Sequence, residues 1–419
     1  MRDMREPNRR AAVPFILITV LLDTLGVGLI IPVGPRLVAS FLHGDLGAAA
    51  RWFGVLMSLY SVMQFVFAPV LGGLSDRFGR RAVILLSLAG AATSYLASGL
   101  STALWWLFVG RTVAGITGAS FSAANAYIAD VTPPEKRAAS FGAVGAVFGL
   151  GFILGPLLGG FLGDYGLRIP YFVGATLNFV NLLYGLLVLP ESLSRENRRP
   201  FSFARANPVG SLGSLRKHPV VMRLTGTLAC AFIAQFVLQS TWALYSQARF
   251  GWTFKQVGFS FMAVGLSTAL VQGLLVRAIV PLLGERRALV LGLTFGATGY
   301  ALIGLASRGW MLYAFIPVLA LAGIAGPAVQ AILTREVGPK EQGELQGALN
   351  GLQGLMAIVG PIIGTSLLAQ FGTDTSIVHV PGAPYFAACF FSASGLLLAV
   401  RTLARNPTPL APGGRGVTP

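Results

Sequence analysis

The 419-residue chain is 54% hydrophobic and only 11% charged, and it carries a net charge of +16. Soluble domains hold about 25% charged residues, and a chain this apolar has too little polar surface to cover itself in water. The composition excludes a soluble enzyme, a nucleic-acid-binding domain and a disordered chain, and it places the protein in a lipid bilayer.

A spanning helix takes about 20 apolar residues. In chain order the pattern predicts spans at 13–38, 53–73, 82–100, 104–129, 139–162, 169–190, 220–246, 256–282, 288–306, 310–333, 344–370 and 384–403, twelve in all. The basic start runs directly into the first span with no small-residue cleavage site, so that helix is read as retained and not as a signal peptide. The polar stretch 191–219 splits the spans six and six. The expected organisation is an N-terminal segment 1–12, a six-helix bundle 13–190, a linker 191–219, a second bundle 220–405 and a Pro/Gly-rich, disordered tail 406–419.

Lys and Arg accumulate on the cytoplasmic side of membrane proteins. With both termini inside, 24 of the 31 Lys+Arg fall on the inner side, 6 on the outer side, and Arg111 lies within a span. That asymmetry predicts a multi-pass plasma (inner) membrane protein and accounts for the basic charge with no nucleic-acid partner. Cys230 and Cys389 both lie in apolar runs, so they define neither a disulfide framework nor a metal site.

The halves repeat each other. Residues 142–160 align without a gap on 347–365, so that Gly142, Gly155 and Pro156 fall on Gly347, Gly360 and Pro361. Residues 78–85 resemble 284–291, and Gly115-Ile116-Thr117-Gly118 resembles Gly323-Ile324-Ala325-Gly326. Parallel repeats of half a chain signal two related bundles with a substrate path between them.

Asp23 lies within the first span, where an ionisable side chain is expensive and marks a pathway. It reads as a coupling proton site, a substrate contact, or a structural acid bonded to nearby hydroxyls or backbone. Arg111, in the fourth span, keeps its charge and needs a partner; Asp23 is the intramembrane candidate. Among the polar side chains near the spans, Gln64, Gln239 and Gln272 are expected to line a cavity, because an amide facing lipid is costly. Trp242 and Tyr127 are the aromatic candidates for substrate contact.

The loop Gly72-Gly73-Leu74-Ser75-Asp76-Arg77-Phe78-Gly79-Arg80-Arg81 resembles the G-x-L-x-D-R-x-G-R-R motif of the major facilitator superfamily. Arg111-Thr112-Val113-Ala114-Gly115 resembles its R-x-x-x-G motif. The helix carrying Gly145, Gly149, Gly155, Pro156 and Gly159 resembles the glycine-rich helix of its drug/proton antiporters. Segments 21–35, 54–81, 110–132, 249–252 and 343–352 look like the tetracycline/proton antiporter branch.

The resemblance implies an all-α membrane fold of twelve helices in two pseudo-symmetric six-helix bundles, working as a monomer. It implies a proton-coupled antiporter that exports an amphipathic small molecule by alternating access, powered by the proton gradient and using no cofactor, no metal and no catalytic residue. The alternative on the same fold is an uptake carrier for a small metabolite. The resemblance gives Arg111 a part in proton transfer. It also makes a cytoplasmic gate of Asp76, Arg77, Gly79, Arg80, Arg81, Asp130 and Arg137, with Asp76 facing the other bundle and Arg80 paired with Asp130. Where tetracycline exporters carry an acid, a histidine and a second acid, this chain has Ser94, Thr268 and Gly296. Those differences point away from tetracycline itself.

Overall fold

The computed structural model describes residues 6–201, 219–338, 341–372 and 378–405, and these are all-helical apart from their connections. Most of the expected linker and the whole expected tail lie outside the described residues. Twelve spans follow in chain order. The first is Glu6–Ile30 continued by Gly34–Ser40, and the second and third are Leu46–Phe78 and Arg80–Gly99. The fourth is Leu104–Thr117 continued by Ser120–Val131, and the fifth and sixth are Arg137–Gly163 and Ile169–Val188. The seventh is Pro219–Phe250, the eighth runs from Phe254 to Leu283, and the ninth is Glu285–Leu305. The tenth runs from Gly309 to Glu336, and the last two are Gln342–Phe371 and Ala383–Arg405. They form two six-helix bundles.

Eleven spans are single apolar helices long enough to cross a bilayer. The fourth is interrupted at Gly118 and Ala119, so neither half is long enough alone. The first also breaks where the sequence pattern is continuous, at residues 31–33. Pro32 there offers no N–H to a helix. At 33 residues the second helix is about 50 Å long, well beyond the roughly 30 Å hydrocarbon core.

The span ends and connections bearing Arg80, Lys136, Arg198, Arg286 and Arg335 share one face, here called the basic face. On the half nearer the opposite face the bundles are locked together. Ser58 donates to the Ile358 carbonyl at 2.7 Å. A Cβ on Gly258 in the eighth helix would meet the Pro156 carbonyl oxygen of the fifth at 2.7 Å. Arg36 donates to Gln247 Oε1 at 3.0 Å, and Gln247 Nε2 donates to the Pro32 carbonyl at 3.0 Å. Lys255 pairs with Asp164 at 3.1 Å. Toward the basic face, Gly142, Gly145 and Gly149 of the fifth helix and Gly273 of the eighth meet open space. Among the described residues the molecule is therefore closed at the opposite face and open at the basic face.

Candidate functional site

Asp23 accepts a hydrogen bond from the Ser120 hydroxyl, Oγ to Oδ2 2.5 Å. Ser120 is the first residue after the break in the fourth span. The break frees backbone groups that a membrane helix must satisfy, and Gln64 of the second helix answers one of them. Its Nε2 donates to the Gly118 carbonyl at 3.0 Å and to the Tyr60 hydroxyl at 3.2 Å. Gln64, expected at the cavity, thus braces the break. The other Asp23 oxygen has no hydrogen-bond partner among the described residues.

Arg111 does not pair with Asp23. Among the described residues it has no ion pair and no hydrogen bond. Tyr60 and Tyr95 lie within electrostatic reach of both charges. The expected pairing fails because Arg111 sits in the half of the fourth span before the break and Ser120 in the half after it, and the break lets the hydroxyl reach Asp23 first.

The glycine-rich fifth helix has two tight faces. Gly151, Gly155 and Gly159 press on Thr24, Gly28 and Leu29 of the first span, and Pro156 Cδ would meet a Cβ on Gly28 at 2.8 Å. The other face carries Pro156 and Gly160 against the eighth helix. Only glycine permits this backbone approach on both sides at once. Gly145 and Gly149 touch neither neighbour. Beside them, Phe148 stacks toward Phe152 and tilts against Phe121, the residue after Ser120. The segments Asp23-Thr24, Ser120-Phe121 and Gly151-Phe152 therefore meet. These phenylalanines were missed in the sequence because nothing in its pattern separates them from lipid-facing aromatics.

In the second bundle, Gln239 is exposed one turn from Gln235. At 100° per residue, that is the face opposite Ala234, Val237 and Thr241, which pack on the ninth, eleventh and twelfth helices. Gln272 is exposed within a π-helical turn, Val271–Leu275, beside Gly323 in the tight 3₁₀ turn Leu321–Ile324 of the tenth helix. Under the internal repeat this 3₁₀ turn falls just before the position of the break in the fourth span, since Gly323 aligns with Gly115.

The two aromatic candidates are buried in this structure. Trp242 is 2% exposed, and its Nε1 donates to Ser260 Oγ at 2.8 Å. Tyr127 is fully buried and donates to the Pro190 carbonyl at 3.0 Å. Both use their polar tips inside a bundle, as buried Trp and Tyr usually do. Ser94 and Gly296 are buried as well, and a Cβ on Gly296 would come within 3.0 Å of Ser392 Oγ.

At the basic face, Arg80 Nη1 pairs with Asp76 Oδ1 at 2.5 Å, and its Nε pairs with Asp130 Oδ2 at 3.1 Å. Ser192 also donates to Asp130, at 3.1 Å. Among the described residues the Asp76 side chain pairs within its own bundle and not with the other. Glu191, which the sequence reading missed, completes the group. Its Oε1 accepts from the backbone N–H of Arg80 at 2.8 Å and from those of Ser192 and Leu193 at 3.0 and 3.1 Å. A carboxylate here caps the third helix and faces the positive end of its dipole. Gly79 has φ 109°, and a Cβ there would collide with the Glu191 carboxylate. Arg81 donates to the Leu186 carbonyl at 2.7 Å, Arg137 donates to the Thr132 carbonyl at 3.2 Å, and Arg77 lies over the Phe78 ring at 5.1 Å.

Comparison with known proteins agrees with this architecture. The family model for the Major Facilitator Superfamily matches residues 16–361 and 250–418. The class C tetracycline resistance protein of Escherichia coli is 42% identical over 378 residues, 89% of this chain and 94% of that one. The chain belongs to the major facilitator superfamily, in its tetracycline resistance branch. The class B protein of Escherichia coli is 38% identical, covering 83% of this chain and 86% of its own. Among solved superfamily structures, the human organic anion transporter MFSD10 shares 26% identity at a TM-score of 0.69, over 94% of this chain and all of its own. A peptide transporter in complex with alafosfalin shares the fold alone, at 15% identity and a TM-score of 0.76, over 94% of each chain. As a superfamily member the chain is a multi-pass membrane transporter, and its relatives are transporters, not enzymes.

Proposed function

We propose that this chain is a proton-coupled antiporter that exports an amphipathic small molecule by alternating access. The observation that carries the reading is Asp23. It is an intramembrane carboxyl with no ion-pair partner among the described residues, held by Ser120 at the break of the fourth span, in a molecule open at its basic face. A carboxyl so placed takes up or releases a proton without first breaking a salt bridge. The basic face is the cytoplasmic one by charge asymmetry, so the open cavity receives substrate from the cell interior. The Arg80–Asp76–Asp130 group and Glu191 hold the loop of this bundle in shape, ready to meet the other bundle when that face closes. The gradient supplies the energy, since one charge crossing 100 mV is worth about 2.3 kcal/mol.

The names of the relatives put tetracyclines in the first panel of substrates. Three features support a different drug or route for this chain: Ser94, Thr268 and Gly296 stand in place of charged or titratable groups. The test is uptake of fluorescent amphiphiles into inverted membrane vesicles under an imposed pH gradient. Accumulation that collapses with a protonophore supports export. Accumulation only in right-side-out vesicles overturns the direction.

A further inference from the structure

Arg111 projects into a small cavity between the first, second, third, fourth and sixth spans. The wall is apolar, formed by Val38, Phe53, Leu56 and Leu107, and the polar groups facing it include Arg111 and Tyr171. Ser98 also lines it but spends its hydroxyl proton on the Ser94 carbonyl at 2.9 Å. Tyr171 is 3% exposed, and its hydroxyl makes no hydrogen bond among the described residues. Nor does any of the five guanidinium donors of Arg111, and among the described residues no carboxylate stands within ion-pair distance of it. The charged and titratable groups around it are Asp23 on the first span, Tyr60 on the second, Tyr95 on the third and Tyr171 on the sixth.

An arginine held inside a membrane protein keeps its charge and requires a compensating one. Asp23 does not supply it at contact distance, because it is bonded to Ser120. The cavity offers a cation and a hydroxyl donor against apolar walls, which is the chemistry of an anion site. It is too small for a drug.

We infer that Arg111 and Tyr171 bind one small monovalent anion of chloride size when the basic face is open. The anion neutralises Arg111 while Asp23 stays with Ser120. The inference goes beyond the transport reading; its failure leaves proton-coupled export standing, because that is read as substrate flux.

The test is radiolabelled chloride binding to the purified full chain in nanodiscs, in gluconate buffer at fixed ionic strength, with bromide and nitrate as competitors. The wild type is expected to bind saturably, with one displaceable site per chain. Arg111→Gln is expected to lose the site, and Tyr171→Phe to weaken it by several-fold. Asp23→Asn is expected to tighten it by removing a nearby negative charge. Absence of saturable binding in the wild type overturns the inference, and so does undiminished binding in Arg111→Gln. Should Arg111→Gln fail to fold, Tyr171→Phe decides: wild-type affinity there overturns the site, and a several-fold loss supports it.

Discussion

Substituting Gly258 by alanine should loosen the closed face. A methyl group at this position lies 2.7 Å from the Pro156 carbonyl oxygen and 3.1 Å from Leu157 Cα. The first distance is about 0.7 Å short of the 3.4 Å at which ordinary contact begins. The obstructing atoms are backbone, so no rotamer change relieves the clash, and the eighth helix must move away from the fifth. Overpacking of this kind costs about 1–3 kcal/mol. Because the contact joins the two bundles on the half nearer the opposite face, the cost falls on the basic-face-open state. The gain in helix propensity from Gly to Ala is common to both states and cancels. The balance should therefore shift about 5- to 150-fold toward the other state. The assay is a spin-label distance measurement across the opposite face, with labels at Gly44→Cys and Ser307→Cys and with Cys230 and Cys389 replaced by alanine. Gly258→Ala should add a longer-distance population. Gly142→Ala, whose methyl meets nothing within 4 Å, should leave the distribution unchanged. An unchanged distribution in folded Gly258→Ala protein would refute the claim that this packing holds the face shut.

Other outcomes follow from the same contacts. Gln247→Ala removes both side-chain bonds that tie the seventh span to Arg36 and Pro32, each worth about 1 kcal/mol, and the same spin labels should report partial opening. Glu191→Ala takes the cap from the third helix and should lower stability by about 1–2 kcal/mol, read as a drop in melting temperature in detergent. Gly296→Asp places a buried carboxylate against Ser392 and Ala322. Such a charge costs several kcal/mol when unpaired, so the yield of monodisperse protein should fall instead of tetracycline transport appearing.

The spans were legible because a bilayer demands long apolar helices, and the motif loop, the repeat and the glycine-rich helix are written in local sequence. Breaks within spans were less so. Pro32 and Gly118 interrupt helices that hydropathy reads as continuous, because apolar residues fill both conformations equally well. That matters for the site, since the Gly118 break is what carries Ser120 to Asp23 and leaves Arg111 on the other half of the span. Charge arithmetic pairs Asp23 with Arg111; only three-dimensional reach shows that a hydroxyl comes first. Trp242 and Tyr127 illustrate the same limit. An aromatic with a polar tip reads alike whether it faces a cavity or bonds to Ser260 or the Pro190 carbonyl. Glu191 stayed hidden because its partners, Arg80 and Gly79, are more than a hundred residues away in sequence.

The central claim is that Asp23 carries the coupled proton. Its most direct test is the internal pH of proteoliposomes during addition of a panel of amphipathic drugs, with wild type beside Asp23→Asn. The account predicts drug-evoked proton movement in the wild type and none in Asp23→Asn, with the mutant still folded and still binding drug. Equal proton movement in the two proteins would contradict it and place the coupling at another residue.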